Sequence, residues 1–169
     1  MTRRNTRLES EGAEFLVLGH LLIEGIPAHK TYSNLPGYDV VATWPETNRS
    51  ARIQVKSRWA TDAGAFLIKK FECDFVVLVR LNRGYRYSGT TKRSLPSDDP
   101  EFYVLSAADA QAITNSKGWG KIVWQKEAFE SHRRRWDIIR HFLDNTPTLP
   151  RKGRVATDPD VARGSGGRV

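Results

Sequence analysis

Apolar residues recur at helical spacing between Ser10 and Glu24, where Ala13, Val17, Leu18, Leu21 and Leu22 form a stripe that Gly25 ends. Glu14 lies on that stripe, so its carboxylate points toward the protein body while Glu11 and Glu24 reach water. Three extended segments follow, Ile26 to Tyr32, Asp39 to Trp44 and Ser50 to Trp59, joined by Ser33-Asn34-Leu35-Pro36-Gly37 and Pro45-Glu46-Thr47-Asn48. Those connections are rich in turn formers and predict an antiparallel meander. In the third segment, alternation puts Arg52, Gln54, Lys56 and Arg58 on one face and Ile53, Val55, Ser57 and Trp59 on the other.

Residues 60–71 fit neither pattern cleanly. Asp74 to Leu81 carries the unbroken run Phe75-Val76-Val77-Leu78-Val79, the mark of a central strand covered on both faces. Residues 83–100 read as a polar loop or long hairpin, with Tyr85 and Tyr87 among several basic residues and Asp98 and Asp99 as solvated turn residues. A strand over Phe102 to Leu105 leads to a short helix over Ala107 to Ile113 capped by Ser106. Lys121 to Trp124 predicts a further strand. Lys126 to Leu143 predicts one amphipathic helix with Phe129, Trp136, Ile139 and Leu143 inward. After Thr146 the apolar pattern stops, so a single domain over residues 1–145 with a basic, disordered tail over 146–169 is expected.

Composition narrows the partners. The 169 residues carry 27 basic and 19 acidic side chains, a formal charge of +8, which favours a polyanion. Nothing resembles a membrane span or an export signal, so a cytoplasmic protein is expected. Cys73 is the lone cysteine, with no disulfide or thiolate zinc site to join. His20, His29, His132 and His141 lack the spacing of a helical zinc site, and no phosphate loop, dinucleotide fingerprint or nucleophile elbow occurs. The Arg133-Arg134-Arg135 triplet reads first as a solvated helix face.

The remaining chemistry gathers at Glu14, Asp39, Gln54 and Lys56. Gln54 and Lys56 project side by side, with Cα atoms about 6 to 7 Å apart, and Asp39 joins them if the preceding strand pairs as a hairpin. Phosphodiester cleavage needs a hard cation with oxygen ligands, an oriented water and relief of charge at phosphorus. Asp39 is the natural anionic ligand, with the Gln54 side-chain oxygen and the Val55 carbonyl as further ligands. Glu14 is left to a bound water or a second ion. Lys56 suits orientation of the water or stabilisation of the pentacovalent state. Arg52, Arg58, Lys69 and Lys70 are the candidates for phosphate contacts with DNA.

Glu14, Gly37-Tyr38-Asp39 and Ile53-Gln54-Val55-Lys56-Ser57 together resemble the PD-(D/E)xK nuclease superfamily over roughly the first half of the chain. By that resemblance Asp39 matches the first acidic position, Gln54 the second, Lys56 the lysine and Glu14 the helix glutamate of several branches. Two departures stand out: Pro36 does not directly precede Asp39, and Gln54 replaces an Asp or Glu, as in a branch that includes homing endonucleases. The resemblance implies an α/β, restriction-endonuclease-like fold with a mixed β-sheet core flanked by helices. It further implies a Mg²⁺-dependent DNA endonuclease, with Mn²⁺ as a substitute, and leaves a homodimer open. The alternative is a nuclease-fold DNA-binding module that has lost catalysis.

Overall fold

The computed structural model describes residues 6–31, 37–84, 98–115 and 120–144. A long helix, α1 (Thr6–Ile23), leads into β1 (Ala28–Lys30), β2 (Val40–Trp44) and β3 (Arg49–Arg58). The chain continues through β4 (Ala65–Leu67), β5 (Phe75–Arg80), β6 (Glu101–Ser106), α2 (Ala107–Ala112), β7 (Thr114–Asn115), β8 (Lys121–Val123), α3 (Lys126–Glu130) and α4 (Trp136–Asp144). The α1 helix ends where Ile26 N–H reaches back to the Leu21 carbonyl at 2.8 Å across Gly25, a Schellman closure. Ser106 caps α2, accepting from the Asp109 N–H at 3.1 Å, as its position before an alanine-rich run predicts.

Five strands form a mixed sheet in the order β1-β2-β3-β5-β6. The meander β1-β2-β3 is antiparallel, β5 runs parallel to β3, and β6 is antiparallel to β5. This α/β arrangement, a five-stranded mixed sheet flanked by helices, is the expected fold class. Alternate side chains of the central strands fill two separate cores. Ile53, Val55, Phe75, Val77 and Val79 pack with Ala13, Val17 and Leu21 of α1 and with Trp136, Ile139 and Leu143 of α4. On the other face, Val76, Leu78, Tyr103 and Leu105 pack with Ala110, Phe129 and Cys73, and with Phe66 and Ile122 of the small sheet β4-β8-β7. β5 therefore buries both faces, which explains its unbroken apolar run.

Two expectations are corrected. The continuous helix over Lys126 to Leu143 is instead two helices, because Phe129 enters one core and Trp136 the other. One straight helix would keep residues seven apart on the same side, so the chain must break to pass around the sheet edge. It breaks at 131–135, where Val104 N–H reaches the His132 carbonyl and Arg134 N–H reaches the Phe102 carbonyl, both at 2.9 Å. That segment thereby pairs with the open edge of β6. Arg133 meets Glu101 and Glu130, and Arg135 clasps Asp137, so two of the three arginines are engaged by carboxylates. Leu22, assigned to the inward stripe of α1, is instead exposed, and the buried positions are Ala13, Val17 and Leu21.

The ambiguous stretch 60–71 holds β4, a strand too short to show a period. It pairs with β8, and Ile68 N–H bonds to the Gly120 carbonyl at 2.8 Å. Gly120 has φ +66°, and a Cβ there would sit 1.9 Å from the Ile68 carbonyl oxygen, so only glycine allows this approach. The hairpin expected over residues 83–100, including Tyr85 and Tyr87, and the tail over 146–169 lie outside the described residues, apart from 83, 84 and 98–100 of the former. Asp98 and Asp99 are exposed, and Asp99 N–H bonds to the Asp98 carboxylate at 2.8 Å.

Candidate active site at the notch between β2 and β3

Pairing of β2 with β3 ends at Val40 opposite Ile53, whereas β3 runs on to Arg58 against β5 alone. Residues 54–58 therefore border a notch on the side that β2 leaves open. In a strand the N–H and C=O of one residue point to the same side. Arg52 and Arg58 carbonyls bond toward β5, so the odd-numbered residues of β3 direct their backbone groups toward the notch. The Val55 N–H meets the Asp39 carboxylate there, at 2.7 Å to Oδ2, while Asp39 N–H holds the Ile53 carbonyl at 2.9 Å. Asp39 is thus fixed from both ends, and the Val55 carbonyl is directed toward the same opening.

Gln54 and Lys56 project from the face opposite α1, because Ile53 and Val55 occupy the α1 core. Gln54 is buried, and its Oε1 has no hydrogen-bond partner among the described residues. A buried amide oxygen without a donor is costly and marks a place that a cation or a water would satisfy. Lys56 is half-buried beside it. Cys73 completes this patch: burial pushes its thiol up to about 11, with the Asp74 carboxylate adding to the rise, against a Gln54 backbone hydrogen bond and the charges of Arg52 and Lys56. A thiol so raised stays neutral near pH 7.

The approach to Asp39 is tight. Gly37 has φ +100°, and a Cβ on it would lie 2.5 Å from the Cβ of Glu72. Glycine lets the turn before β2 press against the segment that enters β5, bringing Asp39 and Cys73 in on either side of Gln54-Val55.

Glu14 has the partner its inward position demanded. Lys30, 5% exposed in its side chain, lies 2.9 Å from Glu14 and 3.0 Å from Glu11. Burial opposes the Lys30 charge, yet its hydrogen bonds to Glu14 and Glu11 hold its pKa above the ordinary lysine value. Lys30 pairs with Val40 in the sheet and so faces the α1 side, opposite to Gln54 and Lys56. Thr31, next along, donates from its hydroxyl to the Asp39 carbonyl at 3.1 Å, which links this ion triad to the notch through the backbone.

Of the phosphate-contact candidates, Arg52 is held by Asp74 through Nε and Nη2, both at 3.1 Å, and its pKa is raised by that hydrogen bonding. Arg58 donates to the Ala65 carbonyl at 2.6 Å and lies over the Phe66 ring, tying β3 to β4. Lys69 and Lys70 are exposed on the segment after β4, with Lys70 3.6 Å from Glu72. Lys30 and Asp74 are not among the candidates read from the sequence, and Cys73 figures there only as a lone thiol. Lys30 did leave a signal, since it shares the parity of Ala28 on the inward side of a strand and a buried ammonium requires carboxylates.

Among the described residues no three His, Cys, Asp or Glu side chains group as a metal cage, and none of the described helices is long and apolar enough to cross a membrane. A cation at the notch would rest on a mixed donor set, with one carboxylate, one amide oxygen and one backbone carbonyl. No protein-family model matches this sequence. None of the curated proteins matches it either. Among solved structures, a bacterial homing endonuclease, I-Ssp6803I, is similar in fold, with a TM-score of 0.54 over 83% of this chain and 96% of that one at 18% sequence identity.

Proposed function

We propose that this chain is a DNA endonuclease of the PD-(D/E)xK type in its Gln-x-Lys form, working with Mg²⁺ or, in its place, Mn²⁺. The observation that carries this reading is the buried Oε1 of Gln54, unpartnered among the described residues, beside the Val55 N–H that anchors Asp39. A hard cation is satisfied by oxygen donors of this kind, and the residues present fit one. The shared fold with a homing endonuclease and the charge of +8 support DNA as the substrate.

Asp39, the Gln54 amide oxygen and the Val55 carbonyl would hold the cation, which when bound polarises the phosphodiester and makes water a better nucleophile. Asp39 arrives already oriented, because the Val55 N–H fixes one carboxylate oxygen and leaves the other free of that bond. Lys56 places an ammonium donor where charge grows on the non-bridging oxygens. Glu14, ion-paired with Lys30 on the α1 face of the sheet, lies across the sheet from Gln54 and Lys56 and is left out of the cation's ligands. Arg52, Arg58, Lys69 and Lys70 extend the basic border along which the DNA backbone lies.

One observation favours the second reading, a DNA-binding module without catalysis: among the described residues a single carboxylate, that of Asp39, is bonded to β3 at the notch, and Glu14 is engaged by Lys30. Mg²⁺ binding separates the two. In an endonuclease, Mg²⁺ raises the melting temperature, Gln54→Leu removes that rise while leaving the metal-free protein as stable or more so, and both Gln54→Leu and Lys56→Ala stop cleavage of duplex or branched DNA. Metal-independent DNA binding, with no Mg²⁺ effect on melting and no cleavage, establishes the module instead.

A further inference from the structure

Outside α1, the large hydrophobic side chains exposed among the described residues are Leu67 at 43%, Ile113 at 45% and Val123 at 51%. Leu67 and Val123 lie on the small sheet, and Ile113 directly precedes its strand β7. Along β4 and β8 alternate side chains turn inward, with Phe66 and Ile122 buried in the core that holds Val76 and Leu78. That leaves Ala65, Leu67, Lys121 and Val123 on the outward face. Leu67 stands opposite Lys121 and Ala65 opposite Val123, so the two larger aliphatic side chains are diagonal neighbours beside an exposed ammonium. No carboxylate occupies any of these four positions. Lys69 and Lys70 follow β4 and Lys126 follows β8, all of them exposed.

We propose that this outward face reads base edges in the major groove of duplex DNA, Lys121 donating to a guanine while Leu67 and Val123 meet thymine methyl groups. The inference deepens the endonuclease reading and rests on it. An antiparallel pair of strands is one of the elements that a major groove about 12 Å wide admits, and β4 with β8 supplies one. The small sheet packs on the face of the main sheet from which Gln54 and Lys56 project, so it forms a ridge roughly 10 Å above that face and beside the notch. Arg58, two residues beyond Lys56 on β3, ties the ridge down by donating to the Ala65 carbonyl at 2.6 Å. A duplex whose backbone reaches Lys56 therefore meets the ridge with the adjoining groove. The bond from the Ile68 N–H to the Gly120 carbonyl at 2.8 Å extends the pairing of β4 with β8, which holds the reading side chains in a fixed register.

Charge and size together select this occupant. Lys69, Lys70, Lys121 and Lys126 place cations on and around the face, which favours a polyanion. Phosphate contacts alone call for cationic and polar groups and leave the aliphatic pair among them without a use. A thymine methyl is the apolar feature that DNA presents in its major groove, and the minor groove offers none. A stable protein interface buries about 800 Å² on each partner, far more than two aliphatic side chains and a bordering isoleucine supply.

Binding of the full chain to a randomised duplex DNA library, without divalent cation so that nothing is cut, tests this by selecting the preferred sequence. On the selected duplex, one or more thymine-to-deoxyuridine replacements should weaken the wild type by about fivefold to tenfold, and 7-deazaguanine at a guanine by about tenfold. The variant Leu67→Ser with Val123→Ser should no longer distinguish thymine from deoxyuridine, and Lys121→Ala should no longer distinguish guanine from its 7-deaza analogue. Circular dichroism of both variants should match the wild type, because the altered side chains are on the surface. Binding without sequence preference, or a preference that survives in both variants, overturns the inference. So does a loss of equal size on the selected and a scrambled duplex with a shallower salt dependence, which marks a phosphate contact. Self-association without DNA that the double serine variant abolishes assigns the face to a second copy and overturns it too. Absence of all DNA binding removes the endonuclease reading as well, whereas DNA cleavage with base preferences intact in both variants overturns this inference alone.

Discussion

Replacing Asp39 separates its structural contribution from its chemical one. Its Oδ2 accepts the Val55 N–H at 2.7 Å, and Val55 is only 7% exposed. In Asp39→Ala that N–H is left buried without an acceptor, at a cost of about 1–3 kcal/mol. Asp39→Asn keeps a side-chain oxygen in place and gives up only the charge-assisted part of the bond, about 1 kcal/mol or less. A domain of this size moves by about 2–4 °C in melting temperature per kcal/mol. The alanine variant should therefore melt roughly 2–12 °C below the wild type and the asparagine variant within about 4 °C of it, both measured by calorimetry without divalent cation. Addition of Mg²⁺ should raise the melting temperature of the wild type alone, and neither variant should cleave DNA. An alanine variant that melts with the wild type shows that the Val55 N–H has another acceptor. An asparagine variant that retains the Mg²⁺ response and the cleavage shows that the Asp39 charge is not what the site uses.

Two further outcomes follow from particular contacts. His20 is held below the ordinary histidine pKa near 6.5 by burial, with the Arg134 charge adding to the effect, and it stacks on Trp136 at 5.5 Å. The unfolded chain then takes a proton first, so stability is full above pH 6.5 and falls as pH drops through the window beneath it; in urea titrations His20→Phe should flatten that slope, leaving the part due to His132, also lowered by burial. An unchanged slope would place the acid sensitivity elsewhere. Gly120→Ala should cost about 1–3 kcal/mol and loosen the small sheet, because its Cβ would collide with the Ile68 carbonyl, and hydrogen exchange at the Ile68 amide should accelerate.

How much of this was legible in the sequence differs from residue to residue. Period-2 alternation alone placed Gln54 and Lys56 on one face of β3, because side-chain direction in a strand is a local property. The doubly apolar run of β5 announced a central strand for the same reason, and Gly25 and Ser106 marked helix ends through backbone chemistry that needs no distant partner. Glu14 could be recognised as inward, but not that Lys30 would neutralise it, since that pairing depends on how β1 sits beneath α1. Phe129 and Trp136 share one helical phase in the sequence, and nothing local says that a sheet edge passes between them.

The sequence by itself determined the elements whose preference is written in neighbouring residues, together with the charge and the residue types available for chemistry. Only the tertiary structure decided that the pairing of β2 with β3 ends at Val40, one residue short of Asp39, that the Val55 N–H captures the Asp39 carboxylate, and that Gln54 Oε1 is left buried without a donor among the described residues. It alone showed, too, that Leu8, Leu22 and Ile23 on the far side of α1 are exposed among the described residues. Each of these is a statement about which groups meet, or fail to meet, after the chain has closed on itself, and local propensity carries no information about partners distant in sequence.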